Sequence, residues 1–425
     1  MNIVKEKKLR KKVWILNHHA TDMYLDKGGR HYWFVKELIK KGYDPIIICA
    51  SFVHKGKDNY IEDKKDFIIK YSENIPFVFI KTKPHQGNGK ARIKSMFEYL
   101  YRVLKSSNGI KKEFGKPDVI IGSSVHPLAC VAGIVLGKKY KCKKISEIRD
   151  LWPETLLMMG YVKENSFLSK VLYFGEKMIY KYSDSVIFTM EGGRQYIIDR
   201  GWDKEINLNK IYYINNGIDL EKYKELQKQS FYDEDLENNK FKLIYTGTIA
   251  KVNNMKIIVE TAEKLQKYQN IQFLMYGDGE ERKKLEEYCK EKKLKNIIFK
   301  GRVNKEKIPY VLTKANILVY NYNNMYTSKF DVLRYGISTN KLFDYLASGK
   351  LILQTFTTNF NPIKKYNCGI ILEKNISSLE IAKKIVELQK LPLSEYEKYF
   401  NNSMKAIEEF DFKNLTRKLI KVIEE

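Results

Sequence analysis

A chain of 425 residues with 44% apolar and 13% aromatic residues can bury two cores of ordinary domain size, which excludes a mostly disordered protein. Its five cysteines, Cys49, Cys130, Cys142, Cys289 and Cys368, form no CxxC pair and accompany no histidine cluster, which argues against a disulfide framework or zinc site and fits a reducing compartment. The net charge is +26, and residues 1–200 hold 38 Lys+Arg against 21 Asp+Glu, hence +17. Such a bias suits a polyanion, either an anionic lipid surface or nucleic acid, although lysine richness throughout the chain is the plain alternative.

The apolar run in MNIVKEKKLRKKVWILNHH ends after four residues, too short for a signal peptide. Lys12–Asn17 reads as a buried strand, followed by Gly28 and Gly29, a helix over Tyr32–Lys41 and a strand over Tyr43–Ala50. This βαβ unit predicts a parallel sheet with ligand sites at the strands' carboxyl ends. Gly28-Gly29 suits close backbone approach to a ligand and equally a plain tight turn. An insert-like stretch, 54–75, precedes a strand at Phe77–Ile80. Over Lys90–Lys105 the residues Ile93, Met96, Phe97, Leu100 and Leu104 make a helical stripe flanked by Lys90, Arg92, Lys94, Arg102 and Lys105. That pattern fits a helix lying on an anionic membrane or one packed on a core. The apolar region Val119 to Gly137 is too interrupted for a membrane span, and no span is expected. It reads as the strand Pro117–Ser123, the turn Ser124-Val125-His126-Pro127 and a helix. Lys144–Arg149 is a strand leading into Asp150-Leu151-Trp152-Pro153-Glu154, so that His126, Glu147, Arg149 and Asp150 all gather at strand ends. Ser185–Phe188 is another strand.

Residues 215–240 are charged and weakly periodic, which predicts a linker between a domain over 1–214 and one over 241–403, with a closing helix from 404 to 425. The second pattern alternates the strands Phe241–Tyr245, Asn270–Tyr276, Ile297–Phe299 and Asn316–Tyr320 with helices over Asn254–Gln266, Glu280–Lys292 and Lys305–Thr313. It culminates in YGISTNKLFDYLASGKLILQTF (335–356), a loop, a helix over about Asn340–Ser348 and a buried strand. Ser338 or Thr339 is a candidate cap and Gly349 a candidate terminator. Leu342, Phe343 and Leu346 share an apolar face, and Lys341, Asp344, Tyr345 and Ser348 fall opposite. A helix start beside a lysine suits a diphosphate, and a solvated Lys/Asp pair is the bland alternative. The expected class is α/β, two Rossmann-like domains facing each other across a cleft, which favours an enzyme handling a nucleotide.

The ordered set G-G-R-H (28–31), H-P (126–127), E-I-R-D-L-W-P-E (147–154), I-N-N-G-I-D (214–219), Y-T-G-T (245–248), Y-G-D-G-E-E-R-K-K-L (276–285), G-R-V (301–303) and N-K-L-F-D-Y-L-A-S-G-K (340–350) resembles the GT-B glycosyltransferases of family 4. It is most similar to their WbuB-like branch, which acts in surface-polysaccharide assembly, often on N-acetylated amino sugars. The resemblance spans nearly the whole chain. It implies transfer of a sugar from a nucleotide diphospho-sugar, expected to be UDP-linked, to a polyprenyl-diphosphate-linked saccharide, with retention of configuration. The first domain would bind the acceptor through Gly28, Gly29, His126, Glu147, Arg149 and Asp150 and pack against the closing helix. The second would bind the donor through Gly247, Thr248, Lys251, Gly277, Arg302, Val303, Ser338, Thr339, Asn340, Lys341, Leu342 and Asp344. The base would lie near Arg302-Val303, the diphosphate on amides at Gly247 and at Thr339 to Leu342, and the ribose on Asp344. His126, Lys341 and Asp344 are the catalytic candidates.

The family's paired glutamates are altered: the second is Asp344 and the first falls at Gly336. Thr248 replaces an arginine and Asn253 falls where a lysine is usual, so Lys251 or Lys341 would supply the missing charge, and Lys341 is favoured by its place at the helix start. No metal-binding DxD is evident in a loop, so neither a metal nor another cofactor is expected. Nucleic acid is not an expected partner, for want of an aromatic-rich basic motif. The implied location is the cytoplasmic, inner face of the membrane, held peripherally. A noncatalytic GT-B scaffold and a nucleotide-sugar epimerase share the same fold pattern.

Overall fold

The computed structural model describes residues 10–53, 59–84, 89–124, 126–323, 331–373 and 375–425. The first residues of the basic N-terminus, part of the expected insert, Val125 and the side chain of Lys90 lie outside that description. The chain forms two compact units, one running to Asn215 and taking in Phe412–Glu425, the other Asn216–Asp411.

In the first unit, β1 (Lys12–Leu16), β2 (Asp44–Ala50), β3 (Phe67–Ser72), β4 (Ile75–Ile80), β5 (Val119–Ser124), β6 (Lys143–Ile148), β7 (Ser185–Phe188) and β8 (Ile211–Tyr213) make one sheet in the order β3-β4-β2-β1-β5-β6-β7-β8. All pairings are parallel except β3 with β4. The apolar run of β1 is central because it is covered on both faces: Val13 and Ile15 pack with the Arg30–Lys40 helix, and Trp14 and Leu16 with the Lys90–Phe114 helix. The chain order reverses between β1 and β5, so the ends of β1, β5 and β6 mark this unit's ligand-binding edge.

The structure corrects four expectations here. Part of the supposed insert is β3, an edge strand whose charged neighbours hide its alternation. The helix begun at Lys90 continues to Phe114. Met96, Tyr99 and Val103 are buried in it, whereas Ile93, Phe97 and Tyr101 are exposed, so the predicted stripe is split between core and solvent. Arg102 and Lys105 are paired with Asp66, and Arg102 also with Glu98. Three helices of this unit went unassigned in the sequence, Thr21–Asp26, Trp152–Met158 and Phe167–Tyr182.

The second unit's sheet has β9 (Phe241–Thr246), β10 (Ile271–Tyr276), β11 (Ile297–Gly301), β12 (Ile317–Tyr320), β13 (Leu351–Gln354) and β14 (Gly369–Ile371) in the order β11-β10-β9-β12-β13-β14, wholly parallel. Its reversal lies between β9 and β12. The expected linker is not one: helices Leu220–Gln227 and Glu234–Glu237 bury Tyr223 and Leu236 in this unit's core. The boundary expected at 404 moves as well, because Leu393–Glu409 is a single helix of the second unit and only Phe412–Glu424 returns to the first. There Phe412, Leu415, Leu419, Val422 and Ile423 join the core around the Arg30–Lys40 helix, with Phe412 edge-on to Phe34 at 5.2 Å. Among the described residues no helix is long and apolar enough to cross a membrane.

Candidate donor and acceptor sites

At the carboxyl edge of the second unit, successive turns touch through their backbones. Gly247 donates its N–H to Tyr276 O at 2.9 Å, and Gly277 donates to Gly301 O at 2.8 Å. With φ of 145° and 144°, Gly247 and Gly277 hold conformations that side-chain-bearing residues rarely adopt, and a Cβ on Gly277 would sit 1.8 Å from Gly247 O. The glycines are therefore required by the approach of one strand end to the next, and the Gly247 amide, expected to hold the diphosphate, is already donated to Tyr276.

The helix Asn340–Ser348 is fixed over this edge. Tyr345 hydroxyl accepts the Thr246 amide at 2.9 Å, and one turn earlier Lys341 Nζ donates to Asn253 Oδ1 at 2.9 Å and to Tyr245 hydroxyl at 3.3 Å. The ammonium lies 4.6 Å from the Tyr245 ring centroid and 5.7 Å from that of Tyr320, a cation–π arrangement. Burial pushes the Lys341 ammonium down to about 7. The helix bounds agree with the sequence reading and Gly349, at φ 70°, ends it. Its surfaces and cap do not. Tyr345 and Ser348, expected on an outer face, are buried with Leu342, Phe343 and Leu346, because the helix is covered on nearly all sides.

No side chain caps the first turn. The Thr339 hydroxyl is hydrogen-bonded to Tyr320 hydroxyl at 2.8 Å, and Ser338 Oγ accepts the Asn216 amide at 3.3 Å, while the Asn216 and Asn340 side chains pair. The start of the helix therefore presents amides beside a lysine, an arrangement that can hold an anion. Thr248 takes part through its carbonyl, which accepts from Tyr245 hydroxyl at 2.7 Å and Asn253 Nδ2 at 2.8 Å. Asp344 is partly buried, and burial raises its carboxyl to about 7 against the opposing pull of Lys305. Lys251 is exposed, Arg302 is exposed and lies 3.7 Å from Asp278, and Val303 packs against the core. Gly336 has φ 107° and donates to Leu333 O at 2.9 Å, so this position carries a turn that disfavours a glutamate sterically. The residues that sequence reasoning missed are Tyr245 and Tyr320, although Tyr245 stands inside the Y-T-G-T motif; Asn253 and Tyr345 were singled out without these contacts.

In the first unit the strand ends do carry the expected residues, but two are already occupied. Glu147 is fully buried and accepts from Arg30 Nε at 2.7 Å, His31 Nε2 at 2.8 Å and Ser123 Oγ at 2.7 Å. Burial alone would raise its carboxyl, yet Arg30 and His31 hold it well below the usual range. Arg30 also donates to the carbonyls of Asn215 and Ile214 at 2.6 and 2.9 Å. Glu147 is thus a structural counter-ion in place of the expected acceptor contact. His126, expected to line a cleft, is enclosed: its Nε2 is 2.6 Å from His18 Nδ1, and burial, with His19 and Arg92 adding, pushes it down to about 3. Gly29, at φ 100°, precedes the Arg30–Lys40 helix and meets only the Met23 side chain, so the tight-turn reading accounts for it and for Gly28. Arg149 is half-buried and donates its amide to Ser124 Oγ at 3.1 Å, and Asp150 is exposed. His18, His19, Arg30 and His31 were missed as members of these networks, the last two despite lying in G-G-R-H.

Residues 227–406 match the family described as glycosyl transferases group 1. An uncharacterized glycosyltransferase of Methanocaldococcus jannaschii is 22% identical over 294 residues, 68% of this chain and 66% of that protein. The chain thus spans a little under two thirds of that relative's length. Among solved structures, the HepE protein of Anabaena in complex with UDP-glucose superimposes with a TM-score of 0.65 at 12% identity, covering 97% of this chain and 99% of that one. WaaG, a glycosyltransferase involved in lipopolysaccharide biosynthesis, does so with a TM-score of 0.62 at 13% identity, covering 97% and 99%. The chain has the GT-B fold, and the match to the group 1 glycosyl transferases falls within its second unit.

Proposed function

We propose that this glycosyltransferase moves a hexose or acetamidohexose from a UDP-sugar to a lipid-linked saccharide in surface-polysaccharide assembly, as a protein held peripherally at the cytoplasmic face of an anionic membrane. The observation that carries the donor half is Lys341, a partly buried ammonium at an uncapped helix start beside Gly247. Cleavage of the sugar–phosphate bond builds negative charge on the leaving diphosphate, and fixed amides with an adjacent cation stabilise that charge where it develops. The bond from the sugar carbon to the diphosphate oxygen breaks as the acceptor oxygen bonds to the same carbon, and the acceptor proton passes to the leaving phosphate. Attack from the same face retains configuration. It also needs no carboxylate nucleophile at position 336, which the Gly336 turn does not supply. Asp344, one turn along the helix, is assigned to the ribose hydroxyls.

No metal is assigned to the reaction: the Asp-x-Asp of the chain, Asp233-Glu234-Asp235, is taken up by Lys300 at 2.8 Å from each aspartate, and Lys341 can take the electrostatic role. The UDP of the HepE complex and the lipopolysaccharide role of WaaG favour the nucleotide and the pathway class. The test is release of UDP from a panel of UDP-sugars with lipid extract as acceptor, with and without chelator. Acceptor-dependent release unaffected by chelator is expected. No release from any sugar, with UDP still bound, would favour a noncatalytic scaffold.

A further inference from the structure

The helix Phe167–Tyr182 leaves a row of large apolar side chains in water. Phe167 is 85% exposed and Phe174 63%, and Leu168 and Val171 lie beside them on the same turns. The preceding loop adds Tyr161, 69% exposed, and Met159. Contiguous apolar surface of this kind marks a contact with something apolar. Behind the helix a groove of about 180 Å³, apolar along almost its whole lining, runs between it and the helices Pro127–Tyr140 and Trp152–Met158. One end of the groove is formed by Ser124, Pro127 and Asp150, at the carboxyl ends of β5 and β6.

The surround is cationic. Lys138, Lys163 and Lys170 are exposed around the patch, with Lys138 resting 4.6 Å from the ring centroid of Tyr182, while Lys181 is paired with Glu205 at 3.0 Å. Glu164 is exposed beside Lys163, and Glu154 and Glu176, nearest the groove, are buried, so the rim keeps a net positive charge. An apolar row rimmed by lysines fits an anionic bilayer, where rings enter the acyl boundary and ammoniums stay with the headgroups. The basic helix Lys90–Phe114 fits less well, because Arg102 and Lys105 are neutralised by Asp66 and half of its stripe is buried.

We propose that the exposed face of the Phe167–Tyr182 helix, with the Met159–Tyr161 loop, docks this chain on an anionic bilayer, and that a lipid hydrocarbon chain enters the groove behind it. The proposal rests on the reading that the acceptor is lipid-linked, and it brings the bilayer to the edge where Asp150 stands.

The test is co-sedimentation with phosphatidylcholine vesicles containing about a quarter phosphatidylglycerol, for the wild type, for Phe167→Ser with Phe174→Ser, and for Ile93→Ser with Phe97→Ser. The side chains changed are exposed, so unchanged thermal unfolding and UDP affinity are expected. Vesicle binding should fall roughly tenfold or more in the Phe167/Phe174 variant, the scale of losing two inserted aromatic side chains, and stay near wild type in the other. In a separate Phe174→Trp variant, spin-labelled lipid should quench the added emission. Wild-type binding unaltered by the Phe167/Phe174 change would overturn this surface while leaving the lipid-acceptor reading intact. Absence of wild-type binding to any vesicle would sink both. A wild-type dimer that the same change converts to monomer, with vesicle binding untouched, would assign the face to a second copy and overturn the proposal.

Discussion

Lys341 and Asp344 occupy one helix three residues apart, and burial pushes both toward about 7, the lysine downward and the carboxyl upward. Their charged forms therefore respond to pH in opposite directions. Below about 7 Asp344 is protonated and a poorer acceptor for ribose hydroxyls, and above it the carboxylate forms. We expect Asp344→Asn to weaken nucleoside binding by about 1–3 kcal/mol, the worth of a charge-assisted hydrogen bond. The loss should be larger at pH 8 than at pH 6, as calorimetric titration would register. A loss equal at both values would take the carboxylate out of the binding step. At this scale the sequence exposed the lysine and the aspartate through their helical spacing. It concealed the tyrosines around Lys341, because Tyr245 and Tyr320 come from separate strands that only the sheet order brings to this helix. Glu147 and His126 were misassigned for a related reason: a strand-end position predicts proximity to a ligand edge, but not that Arg30, His31 and His18 already occupy the side chain.

At the scale of elements, the donor edge depends on backbone contact between turns. Gly277→Ala would place a Cβ 1.8 Å from Gly247 O at φ 144°, a clash with a neighbouring main chain compounded by backbone strain. The expected cost is about 2 kcal/mol or more in urea unfolding, with a parallel loss of nucleotide affinity because Gly247 must move. Wild-type stability and affinity in that variant would mean that the turns are looser than their contact distances imply. Strand and helix order was legible in the second unit from β9 to β13, where short apolar runs alternate with clean amphipathic helices, but not in the helices before β9 or in the short β14. The first unit was harder. β3 is an edge strand flanked by charges, and Phe167–Tyr182, although periodic, carries large apolar residues on its exposed side as well as its buried one.

For the whole molecule, the closing helix matters more than its position in the chain suggests. Phe412, Leu415, Leu419, Val422 and Ile423 are buried in the first unit, and Lys11 pairs with Glu424 at 2.7 Å. Burying five such side chains contributes on the order of the full stability of a domain, about 5–15 kcal/mol. Ending the chain at Asp411 should therefore abolish the first unit's cooperative melting while a transition of the second survives, as calorimetry or limited proteolysis would reveal. Persistence of both transitions would contradict this packing. The amphipathic period runs over Phe412–Ile423 in agreement with the observed helix, whereas the domain boundary expected at 404 falls inside Leu393–Glu409, because no glycine or proline separates the two amphipathic helices.

The donor site is the centre of the account, and it is tested most directly by calorimetric titration of UDP and uridine into wild type and Lys341→Ala. If the Lys341 ammonium holds the diphosphate, the substitution should weaken UDP by about 1–3 kcal/mol and leave uridine nearly unchanged. Wild-type UDP affinity should also fall as pH rises above about 7, because the partly buried ammonium then loses its proton, and the variant should lack that dependence. Equal losses for UDP and uridine, or a UDP affinity indifferent to both the substitution and pH, would contradict it.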